Sequence, residues 1–288
     1  MAVPEWIKHH YPKPEALREM ISLLHSLNIH TVCEEAKCPN IGECFNKQTA
    51  TFLILGDICT RKCKFCGIKK GIPLPVDCDE PQHIAKAVAK LNLSHTVITS
   101  VTRDDLEDSG ADQFVATIKE IKKVSRLGGI EITIEVLIPI MNSKNLKKII
   151  AVTPEVINHN METIKRLYPE VRPIYQYNDS LNLLAEVKSQ NPSITTKSGF
   201  MVGLGETETE IIELMKDLRK QKVDIITIGQ YLRPSGSQLP VVEYISPSQF
   251  KKYEDVGYKM GFKYVVSSPY VRSSYMAKEA LKNVDCGV

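Results

Sequence analysis

Six short apolar runs dominate the middle of the chain, at residues 51–55, 96–100, 130–138, 155–158, 197–202 and 224–228, and helical patterns separate most of them. Runs of this length suit strands rather than helices. Between them Ile84, Ala87, Val88 and Leu91 make one helical face, Phe114, Ile118 and Ile121 a second, and Ile211, Leu214, Met215 and Leu218 a third. Asp79 precedes the first of these helices as an N-cap, with Pro81 just inside. Thr207 and Glu210 have the spacing of a capping box at the start of the third. Parallel strands need a long crossover, and a helix supplies it, so repeated strand–helix units build a parallel sheet. Six units predict an α/β fold, a partial (β/α)6 barrel rather than a closed ring of eight, with a doubly wound open sheet as the alternative. One more strand at 263–267 and a helix at 274–282 follow.

Residues 1–50 read as an N-terminal extension. Leu17, Met20, Ile21, Leu24 and Leu27 recur at helical spacing, and a polar loop with Pro39, Asn40 and Gly42 follows. The predicted organisation is therefore 1–50 as extension, 51–245 as core and 246–288 as a C-terminal extension. With 288 residues, 43% of them hydrophobic, the chain is large enough for a real core. Its net charge of +3 is spread over scattered Lys/Arg pairs without a basic stripe, which argues against nucleic-acid binding. No run is long enough to span a membrane. Met1 to His10 lacks the apolar stretch of a signal peptide and the Arg-rich pattern of a transit peptide, so the expected location is the cytoplasm. In a reducing compartment the eight cysteines are not disulfide staples.

Six of those cysteines form two triads. Cys33, Cys38 and Cys44 read C-x4-C-x5-C, and Cys59, Cys63 and Cys66 read C-x3-C-x2-C. A [4Fe–4S] cubane is usually held by four thiolates. Three thiolates leave one iron open to an outside ligand, which turns an electron store into a reaction centre. Structural zinc is the alternative, but it prefers paired C-x2-C units or closely spaced His partners. The second triad follows directly on the first predicted strand, at the end where α/β barrels place their reactive groups. Phe65, between two of its cysteines, either shields a cluster or packs in the core. Cys78 and Cys286 stand alone, as expected of small packing residues or bystanders.

The stretch CTRKCKFC resembles the signature of the radical S-adenosylmethionine (SAM) superfamily. That resemblance implies that the open iron chelates S-adenosylmethionine and that reduction releases a 5′-deoxyadenosyl radical. GFMVGLGE is similar to the superfamily's adenine-side motif, with Gly199, Gly203 and Glu206 in place and Met201 where isoleucine is usual; a tight strand-to-helix turn is the plainer reading. TSVTRDDLEDSG stands where many members carry Gly-Gly-Glu, and it is close to the form seen in the lipoyl synthase family. The first triad resembles that family's auxiliary-cluster motif. SPYVRSSYMA resembles its Arg-Ser-Ser-Tyr motif, one serine of which ligates the auxiliary cluster. This implies Ser274 as the ligand, with Ser273 as the alternative; on sequence alone, either serine also suits the N-cap of the last helix. NHNMETIKRLYPEVRP is similar to the segment after the family's fourth strand and implies that Asn158 lies near the cofactor ribose. The likeness runs over roughly residues 30–280.

By that resemblance the cofactors are two [4Fe–4S] clusters and S-adenosylmethionine. The substrate is an octanoyl chain on a lysine of a lipoyl-carrier domain or glycine-cleavage H protein. Radical hydrogen abstraction at two methylenes lets the auxiliary cluster donate two sulfur atoms, and a ferredoxin or flavodoxin supplies electrons. Competing readings are a methylthiolating radical enzyme and a two-cluster electron carrier, although a carrier normally keeps four cysteines per cluster. Within 130–138, Glu131, Thr133 and Glu135 alternate with apolar residues and are expected to face inward. Such a polar interior predicts Glu135 beside the cofactor, a packed ion pair being the alternative.

Overall fold

The structure is a computed structural model that describes residues 3–7, 14–46 and 51–285. Contacts divide the chain into two compact units, one of residues 10–61 and 67–155, the other of residues 1–9, 62–66 and 156–288.

The first unit begins with α1 (Pro14–Ser26), where Leu24 is fully buried. The side chains of Leu17 and Met20 lie outside the described residues. β1 (His30–Thr31) follows, and then α2 (Val32–Glu35) and α3 (Ile41–Asn46) occupy the stretch expected to be a loop. A local cap explains α2: the Thr31 hydroxyl accepts the Glu34 N–H at 3.3 Å. The main strands are β2 (Thr51–Ile54), and, after the small pair β3 (Ile58–Cys59) and β4 (Lys69–Lys70), β5 (His95–Ser100) and β6 (Thr133–Leu137). α4 (Glu80–Lys90) lies between β4 and β5, α5 (Ala111–Gly128) between β5 and β6, and α6 (Ser143–Ala151) follows β6. β2 pairs parallel with β5 and β5 with β6, while β1 adds antiparallel to β2. The predicted apolar faces of α4 and α5 are buried. Asp79 precedes α4 but makes no side-chain cap.

β6 starts at Thr133, three residues later than the apolar pattern. α5 ends in a left-handed Gly129 (φ +62°), and the Ile130 N–H returns to the Ser125 carbonyl at 3.2 Å. Residues 130–132 are thereby spent in the helix exit, and Ile130 is left exposed.

The second unit carries β7 (Val156–Asn158), α7 (Tyr168–Val171), α8 (Tyr177–Gln190), β8 (Thr195–Val202), α9 (Glu208–Lys220), β9 (Ile225–Gln230), α10 (Pro247–Lys259), β10 (Tyr264–Ser267) and α11 (Ala277–Asp285). β7, β8, β9 and β10 pair in that order, all parallel. The capping box before α9 is complete: Thr207 Oγ1 accepts the Glu210 N–H, and Glu210 accepts the Thr207 N–H. Asp224 accepts the Thr196 N–H at 2.9 Å and pairs with Lys188 and Lys263, tying α8, β8 and the approach to β10 together. Each of the six predicted strands is therefore present, in a largely parallel α/β arrangement. No helix among the described residues is long and apolar enough to cross a membrane.

Candidate active site

The first cysteine triad is assembled by short-range backbone bonds. Cys33 sits in α2, directly after the strand that pairs with β2. The Cys38 N–H donates to the Cys33 carbonyl at 3.0 Å, and the Cys44 N–H to the carbonyl of buried Asn40 at 2.9 Å. Burial pushes the Cys33 thiol up to about 12, against a backbone hydrogen bond at Thr51, and the charges of Cys38 and Cys44 push the same way. The three sulfurs thus lie within electrostatic reach, and the Cys33 thiol resists ionising. Cationic irons reverse that balance, because bound metal favours thiolate. An all-sulfur donor set also suits an iron–sulfur cluster. Among the described residues no group of three His, Cys, Asp or Glu side chains is placed to hold a single metal ion. A cubane asks for something else, since each thiolate meets its own iron.

The second triad lies on the loop after β2. Leu55 and Gly56 leave the strand with φ of +68° and +84°, a left-handed exit that is costly at leucine. Both Glu80 carboxylate oxygens accept the Leu55 N–H, at 3.0 and 2.9 Å, and Arg103 Nη1 donates to the Leu55 carbonyl at 3.3 Å. Cys59 then lies on the β3–β4 ribbon, where the Gly71 N–H donates to its carbonyl and the Arg61 N–H to its Sγ at 3.4 Å. Thr60 bonds the Thr102 carbonyl through both its N–H and its hydroxyl, while Arg61 grips Asp104 with two bonds of 2.8 Å. TSVTRDDLEDSG therefore fastens the cysteine loop, and Asp108 within it caps the start of α5.

Residues 62–66 are fastened within the second unit. The Lys64 N–H donates to the Val171 carbonyl at 3.0 Å, the Leu239 N–H to the Lys64 carbonyl at 3.1 Å, and Gln238 Nε2 to the Cys66 carbonyl at 3.3 Å. Phe65 is half-buried between Cys63 and Cys66. Arg172 is 5% exposed and feels the Cys63 sulfur; burial opposes its charge, but Tyr168, Glu162, Tyr175 and Cys63 outweigh that and hold its pKa above the ordinary value. Its Nη1 donates to the Asn160 carbonyl and to Tyr168 Oη, both at 2.9 Å.

Other predicted residues have well-defined surroundings. Asn158 ends β7 and is fully buried. Gly203 (φ +105°) and Gly205 (φ +101°) make the turn after β8, and Glu206 Oε2 holds it by accepting the Gly203 and Leu204 N–H groups, each at 2.9 Å. Burial pushes the Glu206 carboxyl up against those backbone bonds. Gly199 has no positive φ; a Cβ there would run into Thr227 Oγ1 and lie 3.1 Å from both Asn160 Oδ1 and Ser273 Oγ. Glu135 is 1% exposed and comes within 4.0 Å of His95 Nε2, so its burial has a partner in the protein itself. Glu131 lies outside β6 and is exposed.

Ser273 donates to Asn160 Oδ1 at 2.6 Å, and α11 starts only at Ala277, so neither Ser273 nor Ser274 serves as its N-cap. Cys78 is exposed rather than packed, and Cys286 lies outside the described residues. Glu80, Arg103, Asp104, Asn160 and Arg172 were not singled out as site residues from sequence. Arg103 and Asp104 lie within TSVTRDDLEDSG, and Asn160 and Arg172 within NHNMETIKRLYPEVRP, so only Glu80 of the five carried no motif signal.

A profile described as the Radical SAM superfamily matches residues 53–218, more than half of the chain. A lipoyl synthase from Caldanaerobacter subterraneus subsp. tengcongensis is 52% identical over 280 residues, covering 96% of each chain. Another, from Caldicellulosiruptor saccharolyticus, is 50% identical and covers 97% of each. The chain belongs to the lipoyl synthase family. Crystal structures show the same fold at low identity: HydG, a maturase of the [FeFe]-hydrogenase, at TM-score 0.61, 16% identity and 96% of this chain against 61% of that one, and methylornithine synthase (PylB) at 0.53, 14%, and 91% against 81%. The lipoyl synthase relatives match along nearly their whole length.

Proposed function

We infer that this chain carries out the lipoyl synthase reaction, radical insertion of two sulfur atoms into the octanoyl chain of an octanoyl-lysyl carrier protein. The observation that carries this is about 50% identity along 96–97% of the chain to proteins of that name. When bound, the cofactors supply the radical and the sulfur; the protein supplies placement and exclusion of water. Cys59, Cys63 and Cys66 would hold the cluster that binds S-adenosylmethionine, and Cys33, Cys38, Cys44 and Ser274 the auxiliary cluster. Ser274 is taken as the ligand from the likeness to the family's Arg-Ser-Ser-Tyr motif, with Ser273 as the alternative. An oxygen ligand is poorly matched to iron in a sulfide cluster, which suits a cluster that must open. Asn158 at the end of β7 and Gly199, Gly203 and Glu206 around the turn after β8 would contact or shape the S-adenosylmethionine site, and Glu135 would line it. In this reading residues 1–50 and 246–288 serve the auxiliary cluster and 51–245 the radical chemistry.

Lys62 and Lys64 are exposed on either side of Cys63, and an acidic ferredoxin or flavodoxin delivering electrons suits that surface. The chain would work in a reducing cytoplasm, where such cysteines stay available as thiolate ligands. The test uses anaerobically reconstituted protein with dithionite, S-adenosylmethionine and an octanoyl-lysine peptide. About eight irons per chain, deoxyadenosine and a peptide that gains two sulfurs are expected. Deoxyadenosine without sulfur insertion refutes the substrate assignment, and zinc in place of iron refutes the chemistry altogether.

A further inference from the structure

The C-terminal segment lies across one face of β8 and β9, and two strand glycines make room for it. The Ser268 N–H donates to the Ile228 carbonyl at 3.2 Å, and the Gln230 N–H to the Pro269 carbonyl at 3.3 Å. A Cβ on Gly229 would collide with the Val271 carbonyl, and one on Gly199 would crowd Ser273 and Asn160. Gly199 pairs with Thr227, two residues before Gly229, so the two gaps open on the same face. Arg272 Nη1 donates to the Val271 carbonyl at 2.6 Å, which stiffens the crossing.

One side chain pins the segment at its far end. Asn160 Oδ1 accepts the Ser273 hydroxyl at 2.6 Å, Asn160 Nδ2 donates to Glu162 Oε1 at 3.0 Å, and the Asn160 carbonyl accepts Arg172 Nη1 at 2.9 Å. Both ends of the amide are thus engaged, and its backbone is anchored to a buried guanidinium that packs 3.8 Å over the Tyr175 ring. Met201 and Glu162 add a further tie, since the Glu162 N–H donates to the Gly199 carbonyl and the Met201 N–H to the Glu162 carbonyl. Asn160 is therefore a rigid post beside β8, and the residue it grips is the immediate neighbour of Ser274.

We propose that Asn160 is a positioning residue for the auxiliary-cluster ligand: through Ser273 it fixes the segment on the glycine seat and so sets the orientation of Ser274. The inference rests on the reading of Ser274 as that ligand. In mechanism, Ser274 needs to be a weak ligand that is nevertheless present. A hydrogen bond one residue away supplies orientation without strengthening the iron–oxygen bond itself.

The test uses the full chain in a Cys59→Ala, Cys63→Ala, Cys66→Ala background, in which reconstituted iron reports the auxiliary cluster alone. The measurement is the rate of iron transfer to a chelator under anaerobic conditions. Ser274→Ala is expected to accelerate release most. Asn160→Ala and Ser273→Ala are expected to accelerate it about fivefold, the loss of one hydrogen bond, and Ser273→Thr, which keeps the hydroxyl, restores the slow rate. Asn160→Ala adds nothing when Ser274 is already alanine. If Ser274→Ala speeds release while Asn160→Ala and Ser273→Ala do not, the positioning role is wrong and the ligand assignment stands. Should Ser274→Ala have no effect, the ligand assignment fails and the proposal with it. An Asn160→Ala effect of equal size in the Ser274→Ala background marks a general loss of structure and also overturns it. Ser273→Ala exceeding Ser274→Ala would make Ser273 the ligand and would overturn the positioning role as well.

Discussion

Removing the Glu80 carboxylate should release the strand exit that leads into the second cysteine triad. Glu80 is 6% exposed and takes the Leu55 N–H on both oxygens and Gln113 Nε2 at 2.7 Å. Leu55 is 3% exposed, so its N–H relies on the Glu80 carboxylate as acceptor. Glu80→Ala leaves that N–H unpaired at a cost of about 1–3 kcal/mol. The left-handed backbone at Leu55, itself costing about 1–2 kcal/mol, then retains its Arg103 contact. Amide hydrogen exchange reads this directly, and the Leu55 amide should exchange about 5- to 150-fold faster. Glu80→Gln keeps one acceptor oxygen and should fall between the two. Burial pushes the Glu80 carboxyl above its ordinary 4.5, against the backbone bonds at Leu55 and Gly56 and the Gln113 contact. A raised carboxyl pKa means that the folded chain binds the proton more tightly than the unfolded one. Wild-type stability therefore falls as pH rises from 4.5 through the folded pKa and is then constant. Glu80→Gln lacks that fall, so its deficit relative to wild type should narrow over the same window. Exchange in residues 52–58 of Glu80→Ala that stays within about twofold of wild type, or acceleration spread equally over β9 and β10, would refute the clamp.

Thr207→Ala should cost about 1 kcal/mol and lower the melting temperature by about 2–4 °C. Arg166 and the capping box hold the Glu210 carboxyl down at about 2, so their contribution is present above 4.5 and is lost as pH falls toward 2; Arg166→Ala should move that acid limb to higher pH in a denaturation series. Burial pushes the Asp224 carboxyl up, but Lys188, the Thr196 N–H and Lys263 outweigh it and hold it below its ordinary value. Asp224→Ala should accordingly cost about 3–5 kcal/mol, because Lys188 is left nearly buried without its anion, and a Lys188→Met partner substitution should recover part of the loss in the same melts. Asp104→Ala removes a half-exposed partner of Arg61, so the melt should shift by no more than about 1 kcal/mol. Iron held by Cys59, Cys63 and Cys66 should nonetheless pass to a chelator faster, and an unchanged rate would show that the Arg61–Asp104 pair does not steady the loop.

The strands were legible because burial of a parallel strand imposes a continuous apolar run, and the Thr207–Glu210 box because its partners are three residues apart. α2 and α3 were missed because they are held by a single cap and by the packing of the cysteine turns, neither of which leaves a periodic pattern. Ile130 misled because an apolar residue in a helix exit looks like the start of a strand until the two preceding glycines are read as a cap. Both cysteine triads stood out on spacing alone. Their fasteners did not: Glu80 meets Leu55 across 25 residues, and Ser273 meets Asn160 across 113. A lone Glu or Asn carries no local signature of such a partner.

The motif residues themselves change meaning once their neighbours are known. Glu206 looked like a cofactor residue, yet one of its oxygens is committed to closing the glycine turn after β8, so its first task is to shape backbone. Gly199 is a glycine because Thr227, Asn160 and Ser273 fill the space of its side chain, and Gly229 because a carbonyl does. A site that must grip iron through half-exposed loops cannot rely on apolar burial to hold those loops still. This chain fixes them instead with polar clamps at their ends: Glu80 and Arg103 on Leu55, Asp104 on Arg61, Val171 and Leu239 on Lys64, and Asn160 on Ser273. Each clamp acts on backbone or on a residue near a proposed ligand. Substitutions at the clamps should therefore alter how firmly iron is held before they alter whether the chain folds.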